Sequence, residues 1–148
     1  MSDYYYVKAV LNYLSLEDKV YVLPSVGAPN VNRLVSIMIG WGCDFKVLLD
    51  FDREGWREYK KLTKHLDAEY MRDKIIFVNS KNFTSQSEVN DNPMTIEDII
   101  DEDLVNDYPE LDKTLIAKRL YEAVNESTYK LSDSTKEKFK GILEQLDV

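Results

Sequence analysis

The sequence predicts an α/β fold with a mainly parallel sheet. Residues 45–49 and 74–78 are short apolar runs, too densely apolar for half-exposed strands and therefore typical of buried ones. Helical patterns precede and separate these runs, and such alternation favours right-handed crossovers between parallel strands. With 148 residues the chain is long enough to bury its own core, so a single domain over 1–148 is expected.

The first third of the chain is expected to contain two helices and a strand. A helix over 3–14, capped by Ser2 or Asp3, is followed by an apolar strand over 20–24 that ends at a proline. The turn over 25–30 leads into a second helix that ends at Gly40-Trp41-Gly42. The buried face of this helix is expected to hold Val31, Leu34, Val35, Met38 and Ile39.

A helix over 55–70 is expected to connect the two predicted strands. The single histidine, His65, falls on its polar side and is expected to be a surface residue. The polar stretch over 79–93 is long for a compact domain and is expected to be either functional or mobile. A further helix begins after Thr95, which can cap it with Asp98 at the capping-box position.

Two C-terminal helices are expected within 112–146. Asp112 is the predicted cap of the first, which continues to about Val124. Ser134 and Glu137 fit a capping box for the second. Lys136 then falls in the first helical turn, where a cation opposes the helix dipole, and this unfavourable position suggests a partner for it.

The composition indicates a soluble globular protein, since 44% of the residues are apolar and 31% are charged. No apolar run is long enough to span a bilayer and no signal-peptide pattern occurs, so no membrane partner is expected and the cytoplasm is the default location. The formal net charge of −8 argues against a surface that coats nucleic acid. It does not exclude a nucleic-acid enzyme whose acidic residues bind divalent cations.

Cys43, the single cysteine, is expected to be a buried or half-buried structural thiol.

The strongest candidate for a functional site follows the strand predicted at 45–49. Asp50 and Asp52 are separated by one residue, and Gly55 precedes a helical pattern. In open α/β sheets, chemistry collects where a strand ends and the chain enters a helix. Two carboxylates held close together favour a cation between them, and oxygen ligands suit Mg²⁺ or Mn²⁺. An acidic turn without a metal is the alternative interpretation, because Asp and Gly are ordinary turn residues.

Two further residues are left with more than one interpretation. Gly27 lies in the turn before the second helix, where glycine permits either a tight turn or a close approach of the backbone to a ligand. The turn is the simpler of these two. Glu97 lies in the first turn of a predicted helix, where the helix dipole favours an acid without requiring one.

These motifs together resemble the Toprim domain, and more narrowly the Toprim domain at the C-terminal end of OLD-family (overcoming lysogenization defect) ATP-dependent endonucleases. Leu49–Gly55, preceded by Pro24–Ala28, looks like the central aspartate motif of that family. Asp3–Tyr6 resembles the continuation of its first motif, and Thr95–Asp98 is similar to a later motif with a hydroxyl residue and a glutamate. Lys136 resembles the lysine near the family's C-terminus. The resemblance spans nearly the whole chain, with the motifs in the family's order.

The resemblance implies a three-layer Rossmann-like fold and an endonuclease that cleaves DNA by one- or two-metal phosphodiester hydrolysis. It implies that Lys136 neutralises charge on the scissile phosphate and that Glu97 is catalytic as well as metal-binding. Gly55 and Gly27 would form structural turns at the site. A further implied partner is an N-terminal ATPase domain of the parent chain. The implied ligands of Mg²⁺ or Mn²⁺ are Asp3, Asp50, Asp52, Thr95 and Glu97.

One family feature is absent from the sequence. The general acid/base glutamate and the first strand that carries it would fall before Met1. We therefore expect either a fragment cut just after that glutamate, or a natural Toprim-like domain that serves as a non-catalytic scaffold or partner-binding module. The chain alone is expected to cut DNA weakly or not at all. The missing strand would also expose sheet edges, which favours pairing with a second copy. Primase-like nucleotidyl transfer is a third alternative, which the Thr95–Glu97 motif and Lys136 disfavour.

Overall fold

The computed structural model describes residues 1–25, 28–80, 85–100, 103 and 112–148. In these ranges the chain is mixed α/β, mostly helical, with a two-stranded parallel sheet. The predicted α/β class and parallel pairing are therefore confirmed. In chain order the elements are α1 Ser2–Tyr13, α2 Ala28–Gly40, β1 Val47–Leu49, α3 Arg53–His65, α4 Ala68–Lys74, β2 Ile75–Phe77, α5 Gln86–Asp91, α6 Ile96–Ile99, α7 Lys113–Asn125 and α8 Asp133–Gln145.

The chain divides into two compact units. Met1–Pro24 and Ile96–Val148 form the helical unit, and Ser25–Thr95 forms the strand unit. The strand unit contains equal numbers of acidic and basic residues, so the formal charge of −8 comes entirely from the helical unit. Every helix within the described ranges is too short or too polar to cross a lipid bilayer.

The core of the helical unit forms where α1 packs on α7. The side chains buried in these two helices are Tyr6, Ala9, Val10, Leu11, Ala117, Leu120 and Val124. Phe139 and Ile142 of α8 are also fully buried. As predicted, Asp112 caps α7, because its Oδ1 accepts a hydrogen bond from the backbone nitrogen of Thr114 at 3.2 Å. A cap of this kind stabilises a helix by about 1 kcal/mol.

The strand unit is built around β1 and β2. Val47 pairs with Ile75, Leu48 with Ile76 and Leu49 with Phe77. The side chains of β2 are buried and those of β1 are half-buried. Beyond β1, Phe51 forms an antiparallel bridge with Met94, with backbone hydrogen bonds of 2.8 and 2.9 Å. The chain therefore stays extended until one residue before the cap of α3.

The predicted strand over Val20–Pro24 is not formed. No strand occurs in this segment, and Tyr21 is 90% exposed. Burial nevertheless alternates from residue to residue along 20–25, as it does along a strand. A strand needs a hydrogen-bonded neighbour, and the described part of the helical unit contains only helices. The prediction of a strand is therefore wrong, because no strand that could pair with this segment occurs in the described part of the unit.

The helix predicted over 55–70 is divided into α3 and α4. It begins earlier, at Arg53, because Asp52 is its cap, and it ends at His65, which is exposed as expected. Leu66 is extended, and Asp67 starts α4 by accepting a hydrogen bond from the backbone nitrogen of Tyr70 at 2.7 Å. The apolar spacing continues through Leu66, and this continuity hides the second cap in the sequence.

The last helix begins two residues earlier than predicted. Ser132, and not Ser134, is its cap, since Ser132 Oγ accepts a hydrogen bond from the backbone nitrogen of Thr135 at 3.1 Å. Ser132 also donates through Oγ to Asp103 Oδ2 at 3.0 Å. This contact with a buried aspartate distant in sequence selects Ser132 as the cap, and the predicted capping box is wrong.

Smaller differences concern individual side chains. Cys43 is exposed in the turn that follows α2, so the prediction of a buried or half-buried thiol is wrong. Ile39, expected on the buried face of α2, is 39% exposed. At the start of α1 neither Ser2 nor Asp3 is the cap; the cap position is Met1, which forms no side-chain hydrogen bond there. Within the stretch predicted as a loop over 79–93, Gln86–Asp91 form α5, and residues 81–84 lie outside the described residues.

Candidate functional site

The two aspartates of the central motif lie where β1 leads into α3. Asp50 follows the last residue of β1, and Asp52 is the cap of α3. Phe51 between them is 2% exposed, and its ring packs edge-to-face on Phe77 with centroids 5.7 Å apart. Because side chains alternate along extended backbone, the burial of Phe51 directs Asp50 and Asp52 to the opposite side. Both aspartates are half-buried.

Asp52 has a structural role of its own. Its Oδ1 accepts a hydrogen bond from the backbone nitrogen of Gly55 at 2.8 Å. A carboxylate at this position caps the helix and complements its dipole. One carboxylate oxygen of Asp52, Oδ1, is therefore used in capping α3. Within the described residues the second oxygen forms no hydrogen bond with protein, so it remains available to a ligand.

Gly55 is required by close packing against the backbone of Asp50. A Cβ built on Gly55 would overlap the carbonyl oxygen of Asp50 and lie 3.0 Å from its carbonyl carbon. Gly55 is a buried residue in the first turn of α3, and not part of the preceding turn. The close approach fixes this turn directly against the end of the strand. The chain therefore holds Asp50 and Asp52 on a backbone that tolerates only glycine at residue 55.

In the helical unit, Asp3 and Glu97 both act on Tyr6. Burial, followed by the negative charges of Glu97 and Asp3, raises the pKa of Tyr6 from 10.0 to about 12. Tyr6 belongs to the core and is 2% exposed. Two of the predicted acids, separated by most of the chain, are thus brought to one phenol. The influence of these two acids on Tyr6 was not predicted from the sequence.

Glu97 has a basic neighbour that the sequence analysis missed. Lys113 Nζ lies 3.9 Å from Glu97 Oε1, and the side chain of Lys113 is 79% exposed. No sequence pattern indicates this pair, because Glu97 and Lys113 belong to different helices, α6 and α7. The exposure makes this ion pair weak by itself. It nevertheless gives Glu97 a counter-charge in the absence of any ligand.

Lys136 lies near the start of α8, as predicted, and forms an ion pair with Asp133. The hydrogen bond with Asp133 raises the pKa of Lys136 above its usual value, and the nearby charges of Asp133 and Asp103 act in the same direction. The Nζ atom lies 5.5 Å from the centroid of the Tyr13 ring. The ammonium group therefore already has an acidic partner that any phosphate would have to displace or share.

The remaining predicted residues are less informative. Thr95 is half-buried and directly precedes α6, at the end of the strand unit. Gly27 lies outside the described residues. In the part of the chain that the structure describes, no three His, Cys, Asp or Glu side chains form a group that could hold a metal ion. Asp50, Asp52 and Thr95 belong to the strand unit, whereas Asp3, Glu97 and Lys136 belong to the helical unit.

Comparisons with protein-family models, curated proteins and solved structures gave no match for this chain.

Proposed function

We propose that this chain is a Toprim-like domain of an OLD-type, metal-dependent DNA endonuclease, with a three-layer Rossmann-like fold. The observation that carries the proposal is the packing of Gly55 on Asp50 at the end of β1. This packing supports a specialised connection between β1 and α3, because an ordinary acidic turn does not require glycine in the first turn of the helix that follows it. The carboxyl end of a parallel strand is also where α/β proteins bind ligands.

The donor set fits Mg²⁺ or Mn²⁺, which prefer carboxylate oxygens. Asp50 and Asp52 would hold the ion, and Asp52 would use the oxygen that does not cap α3. Asp3, Glu97 and the hydroxyl of Thr95 are the further ligands that the resemblance implies. When bound, an ion of this type stabilises charge on a phosphodiester and lowers the pKa of water.

Lys136 and Tyr6 would influence the electrostatic charge around the substrate and the acidic residues. Lys136 would offset negative charge on the scissile phosphate, since a lysine is protonated at neutral pH and the hydrogen bond with Asp133 raises its pKa further. A tyrosine is neutral at this pH even with its ordinary pKa of 10.0, so Tyr6 adds no negative charge to those of Asp3 and Glu97. In the parent protein an N-terminal ATPase domain would act with this domain.

A non-catalytic scaffold is the second candidate function, and a specific observation favours it. Asp52 caps a helix, Glu97 pairs with Lys113 and Lys136 pairs with Asp133. Each of these three side chains therefore has a partner without any metal or phosphate. If these contacts are their whole role, the chain would present a Toprim-like surface to a partner without cleaving DNA.

Calorimetric titration with Mn²⁺ tests the proposed function against the scaffold. The variant Asp50→Asn/Asp52→Asn removes both charges, yet asparagine at residue 52 still caps α3. Asp67 is a matched control because it caps α4 with the same type of hydrogen bond. We expect the native chain and Asp67→Asn to bind Mn²⁺ and the double variant to lose binding. No binding by the native chain, or equal binding by the double variant, would reject the metal site and leave the scaffold.

A further inference from the structure

The solvent side of α3 carries a row of positive charges. Arg53, Arg57, Lys60 and Lys64 are spaced four, three and four residues apart, and all four are exposed. At 3.6 residues per turn this spacing places the four side chains within an arc of about 60° on the helix surface. We refer to these four residues as the basic row. It runs along the side of α3 that faces away from the core.

The basic row is not neutralised by the protein itself. Among the described residues, none of its four members forms an ion pair. The neighbouring Lys61 differs, because its Nζ lies 3.1 Å from Oε2 of Glu58, which is 3% exposed on the core side of α3. Like charges four residues apart destabilise a helix, and the row contains two such pairs. The repulsion within these pairs opposes helix stability, while the helix dipole favours Lys64 in the last turn, and a binding role would account for four like charges on one face.

The distribution of charge along the chain also fits such a role. The strand unit, which contains the basic row, has no net charge, whereas the helical unit carries the whole excess of acidic residues. At physiological ionic strength electrostatic interactions are screened beyond about 8 Å, so the nearest charges contribute most to the binding of a ligand on α3.

We propose that the basic row binds the phosphate backbone of duplex DNA. The row is roughly 16 Å long, which corresponds to about five successive phosphates of one strand. Arginine and lysine side chains on one helix face are suited to phosphate oxygens and do not by themselves distinguish base sequence. The row begins at Arg53, next to Asp52, so a strand held there would pass close to the central aspartates. The choice of DNA as the ligand rests on the proposed nuclease function.

The test is binding of a fluorescein-labelled 20-base-pair duplex, measured by anisotropy over a range of salt concentrations in EDTA. Four phosphate contacts predict that the logarithm of the association constant falls with the logarithm of salt with a slope of about −3.6. Lys60→Gln/Lys64→Gln should weaken binding and reduce the steepness by about 2. Arg53→Gln/Arg57→Gln should weaken binding and reduce the steepness to the same extent. Agreement between the two double variants would show that the loss of binding is not caused by misfolding of one of them. Glutamine has nearly the helix propensity of these residues, so α3 is expected to stay folded.

The matched control is Lys130→Gln/Lys140→Gln, which removes the same charge from two exposed lysines of the helical unit. It should retain the native salt dependence. The proposal is overturned if the native chain does not bind the duplex, if the control weakens binding as much as the row variants, or if polyglutamate of equal charge competes as well as unlabelled DNA. Because EDTA removes metal, this result is separate from the Mn²⁺ titration. DNA binding that depends on the row, without Mn²⁺ binding, would reject the nuclease function alone.

Discussion

The backbone carbonyl of Asp50 occupies the space into which a Cβ on Gly55 would project. This contact joins the end of a parallel strand to the first turn of the following helix. In the same turn Asp52 caps α3 by accepting a hydrogen bond from the backbone nitrogen of Gly55. Asp50 and Asp52 therefore both contact Gly55, one through its backbone carbonyl and the other through its side chain.

Gly55→Ala is expected to destabilise the protein by roughly 1 to 3 kcal/mol, the usual effect of forcing extra atoms into a packed site. Urea denaturation gives the free energy of unfolding. Gly40→Ala is the control, because no atom lies within 4 Å of the Cβ that it would add at the end of α2. That variant should be neutral or slightly stabilising, since alanine is the better helix former. Equal stability of the two variants would show that the close contact is not present.

Tyr6 predicts a loss of stability at alkaline pH. Its pKa in the folded state is raised to about 12, above the ordinary value of 10.0, mainly by burial and then by Glu97 and Asp3. The unfolded chain therefore loses this proton first as pH rises. The stabilising contribution is complete below about pH 10 and is lost as pH rises through about 12.

Tyr6→Phe should therefore flatten the decline in unfolding free energy between pH 10 and 12. Tyr21→Phe is the comparison, because Tyr21 is 90% exposed, and it should leave the decline as in the native chain. Denaturation curves at several alkaline pH values give the answer. An unchanged decline in Tyr6→Phe would contradict a raised pKa of Tyr6 in the folded state.

Asp133 is expected to control the protonation of Lys136. Its hydrogen bond raises the pKa of Lys136, so Asp133→Asn should lower that pKa towards the usual lysine value. The ε-methylene signals of Lys136, followed by NMR during a pH titration, report the change directly. Glu137→Gln removes an exposed acid next in sequence and should have a smaller effect. If both variants give the native titration curve, Asp133 does not hold the ammonium group in solution.

Much of the local structure could be predicted because it depends on nearby residues. The apolar runs at 45–49 and 74–78 indicated the two strands, and Asp112 indicated the start of α7. Ser132 is a residue whose role could not be predicted from local sequence patterns. Two serines could have capped α8, and Asp103 selects one of them by accepting bonds from the backbone nitrogen and hydroxyl of Ser132 at 2.9 and 3.0 Å. No sequence pattern near α8 contains that information.

The same distinction applies to the candidate site. The identities of Asp50, Asp52 and Gly55 follow from a local motif, and the structure explains their spacing through one backbone contact. Tyr6 beside Asp3 and Glu97, and Lys113 beside Glu97, depend on tertiary packing and could not be predicted. The strand predicted at Val20–Pro24 was wrong for a related reason, since the apolar pattern of a segment does not tell whether a second strand is available to pair with it.

The most direct test of the central claim is paramagnetic broadening of amide NMR signals by substoichiometric Mn²⁺. The proposed metal site at the end of β1 predicts selective loss of the signals of residues 50–55. Asp67 and its neighbours in α4 provide an internal reference with a similar acidic cap. Uniform broadening, or loss of signals around Asp67 but not around Asp50 and Asp52, would contradict a metal site at the end of β1.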